Sequence, residues 1–318
     1  MSRKLIPVLL VLAILLTACS NPSTPQTVEV TRVVEVTRMV EVTRVVEAPA
    51  QPAATVAPAT PAPAPPAPQA PGFGETLKKV TARGKLICGV NSQVPGFGFV
   101  DSSGAYAGFD VDFCKALAAA IFNDVSKIEY RPVTAEQRFP ALQSGEIDVL
   151  IRNTTWTLVR DTDNGGNFVA TTFYDGQGMM VPKSLNATKL EDLASGTICV
   201  QKGTTTELNL ADQMTARKIQ YTPAVFDDAN STFAAYAEGR CDAVTTDKSG
   251  LISRRSVLAN PDDNVILDVT MSKEPLGPMV RQGDDQWFDI VKWTVFATIA
   301  GEEFGVCLLY TSPSPRDS

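Results

Sequence analysis

Short apolar runs alternate with longer amphipathic segments from about residue 75 onward. The apolar runs are bounded by glycine, proline or polar residues and predict strands at 84–91 (GKLICGVN), 127–133 (KIEYRPV) and 147–151 (IDVLI). Two intervening segments, 109–122 (FDVDFCKALAAAIF) and 134–148 (TAEQRFPALQSGEID), predict helices. This alternation is typical of an α/β fold.

The two predicted helices carry start signals. Asp110 and Asp112 lie at the N-terminal end of the first helix, where the helix dipole favours acidic side chains. Thr134 is placed to cap the second helix. We expect Pro140 in its first turns, because proline lacks the amide N–H that a helix interior needs.

The same order recurs in the second half of the chain. After 175–182 (DGQGMMVP), residues 190–214 predict a helix, a strand, a Gly-Thr loop and a helix. Residues 231–251 predict a helix and a strand with a polar end. Two successive sets of this kind predict two α/β lobes.

Polar residues follow three of the predicted strands. They lie in 152–161 (RNTTWTLVRD), 203–207 (GTTTE) and 242–250 (DAVTTDKSG). In open α/β sheets, ligands bind in the crevice at the carboxyl ends of the strands. The first segment contains Arg160, whose guanidinium is a planar fork suited to a carboxylate or phosphate, and the third contains Asp247.

Each of these features has a structural alternative. Arg160 alone fits a surface residue and Asp247 a solvated loop carboxylate, while Thr204 or Thr205 fits an ordinary helix N-cap with Glu207 completing a capping box. Together they supply one cation, one donor-rich turn and one anion. That set matches a free amino acid, with the arginine for its carboxylate and the aspartate for its ammonium group.

The composition narrows the chemistry further. The 318-residue chain has a formal net charge of −7 and contains no histidine. The usual general base, the usual zinc ligand and the Ser-His-Asp arrangement are therefore missing, and no basic cluster indicates nucleic acid. We expect a binding protein with no catalytic residue, no cofactor, no metal and no nucleic-acid partner.

The N-terminus predicts export. A basic start precedes an apolar run, 5–16, that is too short for a comfortable membrane span. Leu-Thr-Ala followed by Cys19 resembles a bacterial lipobox, which implies that residues 1–18 are a lipoprotein signal peptide and that Cys19 is lipidated. The alternative is an ordinary cleaved signal in which Cys19 has no role. A lipid anchor would hold the mature protein on a membrane surface.

Residues 19–74 predict a lipid-anchored stalk. The stretch VEVTRVVEVTRMVEVTRVVE (28–47) repeats every six residues, and its β-branched content argues against a helix. Residues 48–71 are almost wholly alanine and proline, which favours semi-rigid polyproline II. We expect this segment to set a distance from the membrane and to carry no chemistry.

From residue 75 to about 306 the chain resembles the extracytoplasmic solute-binding proteins of polar amino-acid ABC importers, in particular the general L-amino-acid-binding type. The stretches that carry the resemblance follow in order: RGKLICGVN, GFDVDFCKALAAAIF, RFPALQSGEIDVL, RNTTWTLVRD, FYDGQGMMV, CVQKGTTTELNLAD, GRCDAVTTDKSGL and KEPLGPMVRQGDDQWFDIVKWT. The resemblance implies a two-lobed type II periplasmic-binding-protein fold, each lobe a mixed sheet flanked by helices. Two crossovers, near 176–178 and 275–277, would join lobe 1 (75–177 plus 278–306) to lobe 2 (178–277).

The resemblance also implies roles for the strand-end residues. Carried over by motif, Arg160 would bind the ligand carboxylate, helped by Thr155 and the region of Thr205, and Asp247 would bind the ammonium group. The other candidates border this site or line its side-chain pocket, with core packing the alternative for the phenylalanines: Asn153, Thr204, Trp156, Phe97 and Phe99.

The implied function is capture of free L-amino acids by lobe closure and their delivery to an ABC importer. The permease and ATPase subunits would be separate chains, and the protein would act outside the cytoplasm, in the periplasm or at the cell surface. One alternative is an enzyme on the same fold, a cyclohexadienyl or arogenate-type dehydratase with Glu136 or Glu207 as proton donor. Another is a sensory module that carries a ligand to a receptor.

Four of the six cysteines are disulfide candidates. Cys88 and Cys114 would lie on a strand and a nearby element of lobe 1, and Cys199 and Cys241 would lie similarly in lobe 2. An oxidising exterior suits both pairs. Four cysteines nevertheless allow three pairings, and buried free thiols are a further alternative.

The final residues, 307–318 (CLLYTSPSPRDS), do not continue the amphipathic helix predicted in WFDIVKWTVFATIAGEEFGV. They look like translated adaptor or vector sequence that ends a truncated reading frame. In that case Cys307 has no native role, and we expect apolar surface of lobe 1 to be exposed nearby.

Overall fold

The computed structural model describes residues 74–306. The predicted signal peptide, the lipidation site Cys19, the stalk up to residue 73 and the tail 307–318 lie outside the described residues.

The α-helices of this part of the chain are α1 (Glu75–Arg83), α2 (Phe109–Phe122), α3 (Arg138–Ser144), α4 (Leu158–Thr162), α5 (Thr205–Ala216), α6 (Ala229–Ala237), α7 (Lys248–Arg255) and α8 (Asp285–Glu303). The strands are β1 (Leu86–Val90), β2 (Gln93–Val94), β3 (Gly98–Val100), β4 (Tyr106–Ala107), β5 (Ile128–Pro132), β6 (Val149–Leu150), β7 (Gly166–Phe168), β8 (Phe173–Pro182), β9 (Thr197–Gln201), β10 (Thr222–Phe226), β11 (Ala243–Asp247), β12 (Asn264–Ile266), β13 (Lys273–Leu276) and β14 (Met279–Arg281). Short 3-10 helices span Lys183–Leu185, Leu190–Leu193 and Pro261–Asp263.

The first sheet has the strand order β5-β1-β6-β14-β7. Strand β1 is parallel to β5 and β6, and Cys88 lies opposite Tyr130 on one side and Val149 on the other. Its apolar residues pack against Trp287 and Val291 of α8. On the other face a second cluster includes residues of α3. Helices on both faces explain why β1 reads as a continuous apolar run.

The second sheet has the strand order β10-β9-β11-β8-β12. Strands β10, β9 and β11 run parallel, whereas β8 pairs antiparallel with β11 and β12. Met179 and Val181 of β8 pack in a cluster with residues of α5, while Met180 between them packs in a cluster with residues of α6 and α7. This alternation places successive side chains on opposite faces of the sheet.

Two antiparallel strands connect the sheets. The first part of β8 pairs with β13, with Phe173 opposite Leu276 and Gly176 opposite Lys273, and the rest of β8 enters the second sheet. β14, which follows β13 directly, belongs to the first sheet. The prediction of a mixed α/β fold with two sheets flanked by helices is confirmed.

Most predicted elements are confirmed, and helix 109–122 is confirmed at both ends. The prediction for 134–148 is wrong in extent, because α3 begins at Arg138 and ends before Gly145. Thr134 instead forms reciprocal 3.2 Å hydrogen bonds with Gln137 in a turn before the helix. Pro140 then lies in the first turn of α3, where its missing N–H leaves no carbonyl unsatisfied.

The structure selects one of the three possible cysteine pairings. Cys88–Cys114 joins β1 to α2 with a Cα–Cα distance of 6.2 Å, and Cys199–Cys241 joins β9 to the residues just before β11 with a Cα–Cα distance of 5.7 Å. Both pairs lie within disulfide distance, as the favoured pairing predicts.

The described surface adds two observations. None of the helices in residues 74–306 is both long and apolar enough to cross a membrane. Large apolar side chains are exposed on α8 and just after it, where Trp293 is 62% and Phe304 is 81% exposed. The origin of this exposed surface in a truncated reading frame stays a prediction.

Candidate ligand-binding site

Arg160 lies in α4, in the segment that follows β6, and only 7% of it is exposed. Its N–H donates to Thr157 Oγ1 (3.2 Å), which caps the helix, and its Nη1 donates to the main-chain oxygen of Thr155 (3.0 Å). Burial lowers the pKa of Arg160 to about 10, while the charges of Glu274 and Asp247 oppose this shift. The guanidinium therefore stays charged at neutral pH, and the alternative of a surface arginine is wrong.

Asp247 is the last residue of β11 and is 8% exposed. Burial raises its pKa well above the usual value, and the nearby carboxylates of Asp175 and Glu274 raise it further, against the opposing charges of Arg138 and Arg160. The alternative of a solvated loop aspartate is therefore wrong. A cationic group beside Asp247 would offset the cost of keeping this carboxylate ionised.

A chain of side-chain hydrogen bonds links the two halves of the molecule. Thr155 Oγ1 and Thr205 Oγ1 are 3.3 Å apart, and Thr205 Oγ1 donates to Glu274 Oε2 (2.9 Å). Glu274 also accepts hydrogen bonds from Asn209 Nδ2 (2.8 Å) and from Ser272 Oγ. Because Thr205 donates its hydroxyl proton to Glu274, Thr155 is the donor in the bond to Thr205.

The segment that carries Thr155 is fixed to strand β13 by its main chain. The Trp156 N–H donates to the oxygen of Pro275 (2.7 Å), and the Gly277 N–H donates to the oxygen of Thr154 (3.0 Å). The Trp156 indole stacks on Phe168 with a centroid distance of 5.4 Å, so this side chain packs on the core of the first sheet. The connecting strand thus fixes the position of the segment that carries Thr155.

Thr204 and Thr205 have different roles at the start of α5. Thr204 is the N-cap, because its Oγ1 accepts the Glu207 N–H (3.1 Å), and its hydroxyl donates to the oxygen of Gln201 (2.7 Å). Glu207 Oε2 accepts the N–H of Gly203 (2.9 Å). The capping alternative is therefore confirmed for Thr204, whereas Thr205 forms the bond between the two halves described above.

Asn153 has an unusual backbone conformation, with φ at +30°, and buried polar groups hold it in place. Its N–H donates to Asp110 Oδ2 (2.5 Å), and its Oδ1 accepts from Asn91 Nδ2 (3.1 Å). Burial raises the pKa of Asp110 to about 7, opposed by the hydrogen bond from Asn153 and by the charge of Arg152. Asp110 therefore positions Asn153 as well as starting α2.

A cavity of about 30 Å³ between the two sheets is lined by three predicted residues, Phe97, Asn153 and Asp247. Phe97 also packs in a small apolar cluster with residues from both halves, so it combines the pocket-wall and core interpretations. An adjoining cavity of about 180 Å³ shares Asn91 with the first. Phe99 lies in β3, in the separate three-stranded sheet, and lines neither cavity.

Sequence reasoning missed three buried residues of this region: Asn91, Arg138 and Glu274. Asn91 directly follows β1, so the search for polar residues at strand ends could have found it. Arg138 reads as an ordinary polar residue near the start of a helix, and Glu274 reads as a loop residue before a proline. Nothing in the local pattern of either residue indicates burial.

These features define a two-lobed α/β binding protein, with a buried cation in α4 and a buried anion at the end of β11. The family model "Bacterial extracellular solute-binding proteins, family 3" matches residues 86–304. The chain therefore belongs to this family. Its membership confirms the prediction of a binding protein rather than an enzyme.

Individual relatives agree with this assignment. The chain is 58% identical over 231 residues (73% of this chain and 68% of the relative) to the general L-amino acid-binding periplasmic protein AapJ of Rhizobium johnstonii. It is 53% identical over 232 residues, with the same two coverages, to the glutamate/glutamine/aspartate/asparagine-binding protein BztA of Rhodobacter capsulatus. A solved ABC transporter periplasmic binding protein from Brucella ovis, with glutathione bound, aligns with a TM-score of 0.71 and 49% identity, covering 76% of this chain and 77% of that one.

Proposed function

We propose that this protein captures free L-amino acids outside the cytoplasm and delivers them to an ABC importer. The observation that carries the proposal is the pair Arg160, in α4, and Asp247, at the end of β11, which are only 7% and 8% exposed. Neither forms an ion pair with another side chain of residues 74–306. A zwitterion supplies the missing partner of each.

The ligand would be held from both lobes at once. We assign lobe 1 to 75–177 plus 278–306 and lobe 2 to 178–277, with the crossovers in the paired parts of β8 and β13. Arg160 would bind the α-carboxylate and Asp247 the α-ammonium group, so each lobe contributes one charge. Because the ligand interacts with both charges only when the lobes are together, binding favours the closed form, and water excluded from the site strengthens each contact.

The remaining predicted residues would shape the rest of the site. Thr155 and Thr205 would border the carboxylate, Asn153 and Phe97 would form the wall of the side-chain pocket, and Thr204 would fix the start of α5. AapJ is named as a general L-amino acid-binding protein, and BztA as a glutamate/glutamine/aspartate/asparagine-binding protein. A test panel should therefore include the full range of L-amino acids, with the two acids and the two amides among them.

A larger ligand is a second candidate. The Brucella ovis relative contains glutathione, and the adjoining cavity of about 180 Å³ extends the site beyond the space next to Asp247. Glutathione carries an α-carboxylate and an α-ammonium group on its γ-glutamyl residue, so it could use the same two charges.

Lipid attachment at Cys19 would complete the function. It would hold the binding domain on the cell membrane through the stalk, near an importer whose permease and ATPase subunits are separate chains. Labelling of expressed cells with a radioactive fatty acid tests this part, since Cys19→Ala should abolish the label.

Isothermal titration of the full chain with the proteinogenic L-amino acids and with glutathione tests the function. We expect one-to-one binding of at least one amino acid and no turnover of arogenate or prephenate. If no amino acid releases heat or raises the melting temperature, the proposal fails. Product formed from arogenate or prephenate would favour the dehydratase instead.

A further inference from the structure

Arg138, the first residue of α3, is a buried cation that the proposed function does not yet use. Only 2% of it is exposed, and its Nε is buried without a hydrogen-bond partner among the described residues. Its Nη2 makes one long hydrogen bond, 3.4 Å, to the main-chain oxygen of Gly203. A guanidinium has five N–H donors, so this bond leaves most of its capacity unused.

The charges around Arg138 do not neutralise it. Within residues 74–306, no aspartate or glutamate forms an ion pair with it. The nearby Arg160 and Arg152 repel it, and the attraction of Asp247 and Glu274 acts without direct contact. Buried charges in proteins are normally paired, so the missing partner points to an anion that arrives with a ligand.

Arg138 lies near Arg160, the proposed carboxylate-binding residue. Its guanidinium carbon is 4.9 Å from the ring centroid of Phe139, and that of Arg160 is 5.4 Å from the same ring. Gly203, which accepts the bond from Arg138, lies in the other half of the molecule, two residues before Thr205. Arg138 thus reaches across the cleft beside the start of α5.

We infer that Arg138 binds a second negative group on the ligand, the side-chain carboxylate of a dicarboxylic L-amino acid. This inference rests on the proposed function. A zwitterion neutralises Arg160 and Asp247 and leaves Arg138 unpaired, whereas aspartate or glutamate supplies one additional negative charge. The site therefore favours an acidic ligand over an amide of the same shape.

Titration of the full chain with L-glutamate, L-aspartate, L-glutamine and L-asparagine tests this role. Arg138→Met keeps most of the side-chain length and removes the charge. We expect this substitution to weaken binding of the two acids by about 100-fold, as for a broken buried ion pair, and binding of the two amides by no more than a few fold. Arg131→Met is the matched control, since Arg131 is 40% exposed and pairs with Glu129 and Glu146 outside the cleft.

The melting temperature of the ligand-free protein gives a second test of this role. Removing an unpaired buried charge should leave the melting temperature of the ligand-free protein unchanged or higher, whereas loss of a structural contact would lower it. Arg138→Lys should retain part of the preference for acids over amides, because it keeps the charge but not the planar fork.

The outcomes separate the two proposals. If the wild type binds no amino acid at all, the proposed function fails. If the wild type binds amino acids but does not prefer acids over amides, or if Arg138→Met leaves that preference unchanged, this inference is overturned while the proposed function stands. Equal weakening of acids and amides would likewise overturn it and assign Arg138 to the α-carboxylate.

Discussion

Replacing Arg160 by alanine removes the cation that we assign to the α-carboxylate. The side chain is 7% exposed, and its one hydrogen bond to the described protein is the 3.0 Å bond from Nη1 to the oxygen of Thr155. Water therefore has little access to take over its role. In the variant, the ligand carboxylate enters the same buried space without a partner.

The expected loss is large. Breaking a buried ion pair by removing one partner costs roughly 3–5 kcal/mol, which raises the dissociation constant by about 10²- to nearly 10⁴-fold. At a ligand concentration about 100 times the wild-type dissociation constant, binding stabilises the wild type by about 2.7 kcal/mol. A thousandfold weaker variant gains only about 0.1 kcal/mol at that concentration, so its ligand-induced thermal shift should vanish.

Isothermal titration and thermal shift of Arg160→Ala, Arg160→Lys and Arg217→Ala measure this effect. Arg160→Lys should also bind poorly, because lysine lacks the fork that engages both carboxylate oxygens. Arg217 is an exposed residue directly after α5 and forms a 3.8 Å ion pair with Glu191, so its removal should change affinity little. An affinity of Arg160→Ala within threefold of wild type would refute the assignment.

Three further predictions concern pH, closure and the disulfides. Burial raises the pKa of Asp110 to about 7 from an unfolded value near 3.8, so the folded state binds the extra proton and the free energy of unfolding should fall as pH rises from about 4 to about 7. Denaturant unfolding across this range should show a smaller fall in Asp110→Asn than in the wild type, in which buried Asp247 contributes a fall of its own. Gly203 has φ at +71°, and an added Cβ would lie 2.7 Å from Glu136 Cγ across the cleft, so Gly203→Ala should weaken ligand binding by about tenfold or more. Unchanged affinity in titration would contradict the close approach. Cys88–Cys114 closes a loop of 26 residues and Cys199–Cys241 a loop of 42 residues. From the chain entropy of these loops, reduction should lower the free energy of unfolding by about 3.5 kcal/mol for the first pair and about 4 kcal/mol for the second. An unchanged denaturation midpoint after full reduction would show that the pairs do not cross-link the protein.

The two charged residues that the sequence singled out lie in segments tied to strand ends. Asp247 ends the strand β11, and Arg160 lies in α4, within the polar segment that follows β6, so the strand-end rule of α/β folds was enough to select both segments. The helix 109–122 was equally predictable, because its apolar residues recur at regular helical spacing and because Gly108 precedes it and Asn123 follows it. These features depend on local sequence and on one general rule of α/β folds.

The parts that the sequence did not predict depend on long-range packing. Arg138 is buried and donates to the main-chain oxygen of Gly203, sixty-five residues later in the chain. Glu274 is buried and accepts hydrogen bonds from Thr205 and Asn209, which lie in a distant part of the sequence. The extent of α3 has a different reason: the Pro140 ring would clash with the carbonyl of residue 136 if the helix began at Thr134, so it begins at Arg138.

In the proposed function, affinity for the ligand comes from two charges that have no direct partner among the described residues. Burial shifts the pKa of Arg160 and of Asp247 toward the neutral form of each group, which means that bringing the two halves together around them is costly in the absence of a ligand. The bond between Thr155 and Thr205 joins the halves, but a single hydrogen bond between hydroxyls contributes only about 1 kcal/mol. A zwitterion removes the cost at both charges in one step, and it does so only in the closed arrangement. In this proposal ligand capture and lobe closure depend on the same two charges, so a substitution that neutralises either charge should stabilise the empty protein while it abolishes binding.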